Sequence, residues 1–312
     1  MKSNCCKILS AIVSRLFFGL HGTLMIVFLA AMQENKNYLL MLITIFLLFV
    51  EMIITLWKTK KGEWKWFSPM VFIYLCSVLP SIFIMELEFL EIRINMSNTT
   101  HHECMDSVHT EYSTEIQALE ETLILVLVLG RWLMPKGYMN RDQLCQLLLT
   151  YLALGADILD ILQLIKETKI NTNKPATVVG LCLFSWAILQ FTIVLTQTAS
   201  PKSQITSPVE ASPSTNNRTR PATPVCCTTE IWSVIVTVGM QDGPFLIYRV
   251  YLATAEGVFN ESLTFFVCKN ALTVIIEIYR VSIILGRGRC KRKKSQSAAV
   301  ANQTNNAETE MT

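Results

Sequence analysis

The chain is a succession of apolar runs, each about twenty residues long, separated by short polar stretches. An α-helix rises about 1.5 Å per residue and the hydrocarbon of a bilayer is about 30 Å thick, so a run of this length can cross it. Lipid offers a backbone no hydrogen-bond partners, which makes these runs helices. Composition agrees where it bears on the point: 51% of the 312 residues are hydrophobic and only 16% are charged, with a mean hydropathy of +0.39. An ordinary soluble domain carries roughly 25% charged residues.

The expected fold is therefore all-α, a polytopic transmembrane helix bundle of about eight spans, at about 8–31, 38–57, 67–86, 116–135, 144–165, 176–197, 231–253 and 262–286. The fourth is strictly apolar only from Thr122 to Pro135, and the seventh is interrupted by Gln241-Asp242-Gly243-Pro244. The first run follows Lys2 and Lys7 in the manner of a signal peptide. It exceeds a signal core of about 7–15 residues and contains Arg15 and His21, so it reads as an uncleaved span.

Basic residues set the orientation. Lys36, Arg93, Lys166, Lys169 and Lys174 fall on one side, while the far larger remainder, including the cluster from Arg287 to Lys294, falls on the other. The richer side is cytosolic, and an even number of spans puts both termini there. The acidic loop 87–115 then lies outside, with Asn95 and Asn98 as glycan acceptors in Asn95-Met96-Ser97 and Asn98-Thr99-Thr100. Cys5, Cys6, Cys226, Cys227 and Cys290 sit at the cytosolic membrane edge, where S-palmitoylation operates. The Ser/Thr/Pro-rich segment 198–229 and the basic-then-polar tail 291–312 read as disordered cytosolic stretches. Ser207-Pro208, Ser212-Pro213 and Thr223-Pro224 are candidate phosphate acceptors that would recruit cytosolic partners.

Several function classes fall away. A net charge of +3, spread in short inter-run clusters, is topogenic and forms no nucleic-acid face. There is no nucleophile elbow, zinc-binding helix pair, phosphate loop or dinucleotide fingerprint, so neither an enzyme nor a cofactor is expected. His101, His102 and His109 lie near Cys104, but nothing fixes a tetrahedral geometry and no metal site is expected.

The informative residues are the polar ones within the runs. A charge at mid-bilayer costs about 2.5–3.5 kcal/mol on insertion scales, so each needs a partner, a wet cavity or an interface. Asp157 and Asp160 share a helix face, with Gln143, Gln146 and Thr150 roughly in phase. Asp242 and Arg249 are seven apart across Gly243-Pro244, where the helix either breaks to expose binding backbone or kinks against its neighbours. The eighth run carries Lys269, Glu277 and Arg280, the last two spaced to pair. Asp157, Asp160 and Asp242 are expected to offset Arg249 and Lys269 across the bundle. Glu51 and Arg131 lie near cytosolic ends and read as interfacial.

In order along residues 10–285, Lys65-Trp66-Phe67-Ser68-Pro69, Tyr74-Leu75 through Pro80-Ser81, and Gly130-Arg131-Trp132-Leu133-Met134-Pro135 resemble the transmembrane protein 26 family. So do Arg141-Asp142-Gln143-Leu144 running to Ala156-Asp157-Ile158-Leu159-Asp160, and Gln241-Asp242-Gly243-Pro244-Phe245-Leu246 with Arg249. The resemblance implies a polytopic membrane protein, at the cell surface in some relatives, and carries over no catalytic residue.

Two functions from different classes fit. One is a channel- or transporter-like protein using Asp157, Asp160, Asp242, Arg249, Lys269 and Glu277 as an intramembrane polar site. The other is a surface or scaffold protein acting through its cytosolic loops. A membrane-embedded enzyme ranks third.

Overall fold

The computed structural model describes residues 2–58, 67–98, 103–134, 141–167, 169–193 and 234–309. Its helices are α1 (Lys2–Met32), α2 (Leu42–Lys58, preceded by a 3-10 turn, Lys36–Met41), α3 (Pro69–Asn98), α4 (Glu103–Leu133), α5 (Arg141–Ile165), α6 (Lys174–Ile188, continued as a 3-10 turn, Leu189–Thr192), α7 (Gly243–Ala255) and α8 (Glu261–Thr309). No strand occurs among the described residues, only an isolated bridge between Phe67 and Ile193. Helix α1 packs on α2, α3 and α4; α4 passes the contact to α5, α5 to α6, and α7 joins α6 to α8.

Large apolar side chains remain on the outer surface, Trp57 at 90% exposure and Leu20 and Ile247 at 73% each. An apolar exterior of this extent is stable against lipid and a liability in water. Among the described residues, six helical segments are long and apolar enough to cross a membrane: Ile8–Met32, Lys36–Lys58, Pro69–Asn95, Leu144–Ile165, Lys174–Thr192 and Glu261–Gly286. The expected fourth and seventh spans are not among them, α4 because it carries Glu115, Glu120, Glu121 and Arg131, and the seventh because Asp242 and Arg249 interrupt it.

Three boundaries differ from the sequence reading. Helices α3 and α4 run through most of 87–115, so the expected loop contracts to the link between Asn98 and Glu103, and Asn95 and Asn98 ride on the last turn of α3. Its Glu-rich sequence lacks Gly and Pro, and charged residues of that kind extend a helix into water. Helix α8 continues to Thr309 past Gly286 and Gly288, through helix-favouring Lys, Gln and Ala, where the sequence reading expects a disordered tail. At Gln241-Asp242-Gly243-Pro244 the helix neither breaks nor ends: residues 234–237 lead into a π turn, Val238–Asp242, and then α7. The wider turn lets the Gly243 N–H reach the Val238 carbonyl five residues back. A Cβ on Gly243 would lie 2.7 Å from that carbonyl oxygen, so glycine is required there. The segment 198–229, with Cys226 and Cys227, lies outside the described residues, as do the side chains of Cys5, Cys6 and Cys290.

Close helix approach depends on a few glycines. A Cβ on Gly130 of α4 would lie 2.2 Å from the Phe18 ring of α1, itself stacked edge-on against Tyr74 at 4.7 Å. Gly130→Ala is expected to push this ring out of register and cost about 1–3 kcal/mol of overpacking, read as a lowered thermal midpoint in detergent.

Two residues expected at the interface are interior. Glu51 is 7% exposed and pairs with Arg15 at 3.3 Å, while Thr55 donates to the same carboxylate at 2.5 Å. Arg131 is 3% exposed, with its guanidinium 3.5 Å from Met134 Sδ. The α1 contacts of α2 and α4 enclose them, information a single helical run cannot carry.

Candidate functional site

The hairpin formed by α7 and α8 is set by its turn. Gly257 adopts φ +63°, a conformation that disfavours side chains, and Asn260 caps α8 by accepting the Leu263 N–H at 2.8 Å. This places the start of α8 beside α5. Ser262 Oγ donates to Asp160 Oδ1 at 3.0 Å, and Arg249 of α7 bonds Asp160 Oδ2 at 2.7 Å. The same guanidinium reaches the Asp157 carbonyl at 3.4 Å, and its flat face lies 4.7 Å from the Phe266 ring centroid and 5.5 Å from that of Phe245. Arg249 is fully buried, and these rings sit against the part of the cation that no carboxylate meets.

Deeper along α8, the Lys269 ammonium pairs with Asp157 Oδ1. Gln241 of the π turn donates to Asp157 Oδ2 at 3.4 Å and to the Leu154 carbonyl at 3.3 Å, and its own carbonyl accepts from Gln190. The Trp186 indole donates to the Gly239 carbonyl at 3.3 Å, fixing the π turn to α6. The paired charges expected from the sequence are thus brought together on three helices. Arg249 takes Asp160 and Lys269 takes Asp157.

Asp242 is different. It is 5% exposed, and among the described residues it makes no hydrogen bond or ion pair, although Asp157, Lys269, Glu277 and Arg249 lie within its electrostatic reach. Three carboxylates therefore share two committed cations. Nearby on α8, Asn270 is fully buried with neither amide atom bonded among the described residues.

The inner face of α8 carries Ser262, Lys269, Asn270, Thr273, Glu277 and Arg280, while Leu272, Ile275, Ile276 and Tyr279, each more than half exposed, form the outer one. Glu277 and Arg280 pair at 3.5 Å as their spacing predicts. From Ser262 to Arg280 the polar stripe rises about 27 Å at 1.5 Å per residue, close to the bilayer's hydrocarbon thickness. The extension of this stripe along α5 is not found: Gln146 and Thr150 are exposed, because α5 buries Leu144, Leu147 and Tyr151 instead, and the Gln143 side chain lies outside the described residues.

A second charged cluster escaped the sequence reading. Lys166, just past α5, bridges Glu86 of α3 at 3.1 Å and Glu120 of α4 at 2.6 Å, with Arg93 3.7 Å from Glu86. Both carboxylates are 1% exposed. Burial disfavours the Lys166 charge, yet Glu120 and Glu86 outweigh it and hold the ammonium above its ordinary range. The signal was available in phase: Glu120 lies three or four residues from Ile116, Leu123 and Ile124, all buried.

No solved structure matches the chain. The sequence pattern described as transmembrane protein 26 matches residues 5–280, nearly the whole bundle and every residue of the polar site. The chain belongs to the transmembrane protein 26 family.

Proposed function

We propose that this multi-pass membrane protein is channel- or transporter-like and moves a proton or a small monovalent cation along the polar face of α8, with Asp242 as the exchanging carboxylate. The supporting observation is the imbalance at the centre of the stripe, where a buried carboxylate has no committed cation while Asp157 and Asp160 each hold one. An uncompensated carboxylate in low dielectric favours binding a proton or cation. Arg249 and Lys269 act as fixed counter-charges, Glu277 continues the stripe, and the π turn supplies a local departure from α geometry of the kind that recurs at functional sites. The surface membrane is the proposed location.

A scaffold role is the second reading, favoured by the two ion pairs, which tie α5, α7 and α8 together. The full chain reconstituted in liposomes separates the readings. Proton or Na⁺ flux above that of empty liposomes, reduced about tenfold by Asp242→Asn, is the expected result. A folded protein with no flux of either ion leaves the scaffold reading standing.

A further inference from the structure

Asn270 of α8 is fully buried, and neither its amide oxygen nor its amide nitrogen has a hydrogen-bond partner among the described residues. A buried polar group left unsatisfied costs about 1–3 kcal/mol, which an apolar side chain of the same shape avoids. Such a group is normally met by something it binds.

Its surroundings follow from the helix period and the hairpin register. Asn270 lies on the inward ridge of α8 with Leu263 and Ile284, which are also buried and stand in phase at seven-residue spacing. That ridge packs on α7 and on the π turn. Arg249 of α7 lies over Phe266 of α8. The two helices of a hairpin run antiparallel, so moving back along the chain from Arg249 to Asp242 moves forward on α8 from Phe266 to the neighbourhood of Thr273. Asn270 is then one turn to one side of Asp242 and Glu277 one turn to the other. Electrostatics agree with this register: Lys269 and Glu277, on either side of Thr273, are the α8 charges within reach of Asp242.

The charges around this point are otherwise matched. Asp157 pairs with Lys269, Asp160 with Arg249 and Glu277 with Arg280, which leaves one unmatched negative charge, that of Asp242. A proton would neutralise it without any second ligand. A metal cation must instead replace the water oxygens it sheds, and a carbonyl oxygen beside a carboxylate does so without adding charge. A single unmatched charge suits a monovalent ion, and the fixed cations Lys269 and Arg249 repel a divalent one.

We infer that Asn270 and Asp242 form a binding site for a dehydrated alkali cation, with oxygen ligands from the α8 amide and the π-turn carboxylate, so that the exchanging species is Na⁺-like and not a bare proton. The inference rests on the reading of Asp242 as the exchanging carboxylate and narrows its substrate to one class.

The test measures the thermal midpoint of the full chain in detergent, in NaCl and in choline chloride of equal ionic strength, beside Na⁺ and proton flux in liposomes. Na⁺ is expected to raise the wild-type midpoint saturably and choline to leave it unchanged. Asn270→Leu is expected to match or exceed wild type in choline, because the unsatisfied amide is gone, while the Na⁺ concentration giving half the rise increases about tenfold or more. Asp242→Asn abolishes the rise. Should leucine overpack the site, Asn270→Ala is expected to show the same weakened response to Na⁺. A purely structural amide does the opposite: both Asn270 variants lose midpoint in choline and respond to Na⁺ as wild type does, which would overturn the inference. Proton flux indifferent to Na⁺, with no Na⁺-specific rise in midpoint, would also overturn it while leaving Asp242 an exchanging carboxylate. A saturable rise weakened in the Asn270 variants, without flux of either ion, upholds the site and removes the transport reading.

Discussion

Arg249→Met is expected to lower the stability of the folded bundle by about 3–5 kcal/mol, read as the shift in the denaturation midpoint of the purified chain in detergent. The size follows from what remains. Asp160 loses its cation and keeps only Ser262, in a setting where its side chain is 12% exposed, and the Phe245 and Phe266 rings lose the guanidinium they flank. Removing both charges, as Asp160→Leu with Arg249→Met, is expected to recover much of the loss, because the penalty comes from one buried charge left alone. Arg249→Lys is expected to fall short of wild type: both hydrogen bonds come from one nitrogen, Nη2, and an ammonium could make them, but it lacks the planar guanidinium that lies over the Phe266 and Phe245 rings. Equal midpoints for Arg249→Met and wild type would show that the pair is solvated.

Lys166→Met is expected to be of similar severity, at about 3–5 kcal/mol, for a different reason. Glu86 and Glu120 come from separate helices and both point at this ammonium, so its removal sets two buried carboxylates against each other with only Arg93, 3.7 Å from Glu86, to offset them. The pair must then take up a proton or pull α3 away from α4. Adding Glu120→Gln removes the repulsion and is expected to restore most of the midpoint. The same contact gives a pH dependence with a definite sign. A lysine whose folded-state pKa is raised contributes fully below its ordinary value and loses the contribution as pH rises through the raised one, so the stability Lys166 supplies should persist through neutral pH and fade only in strong alkali. A midpoint already falling on titration from pH 7 to pH 9, and no longer falling in Lys166→Met, would contradict this.

The apolar runs alone carried most of the architecture, because bilayer thickness converts their length directly into spans. Where the reading failed, the local rule was outweighed by contacts that a linear pattern does not contain. Glu51 sits near a helix end and looks interfacial until Arg15, thirty-six residues earlier, is seen beside it. Glu120 looks like a weakness in the fourth span until Glu86 and Lys166 close around it. At Gly243-Pro244 a helix can break or kink, and the chain runs on unbroken through a π turn that satisfies the Gly243 N–H. The polar site was more legible than these, because mid-membrane cost marks Asp157, Asp160, Asp242, Arg249 and Lys269 before any partner is known. Pairing was not: the assignment of Asp160 to Arg249 and Asp157 to Lys269 depends on the depth at which Gly257 and Asn260 start α8.

The polar stripe of α8 as a water-reached path is the claim on which the functional reading rests, and cysteine accessibility tests it directly. In a full chain otherwise free of cysteine, single cysteines at Thr273, Glu277, Leu272 and Ile276 would be treated in intact liposomes with a membrane-impermeant thiol reagent. The account predicts reaction at 273 and 277 and none at 272 and 276, the lipid-facing side of the same helix. Four unreactive positions, or reaction that ignores the helical period, would contradict it.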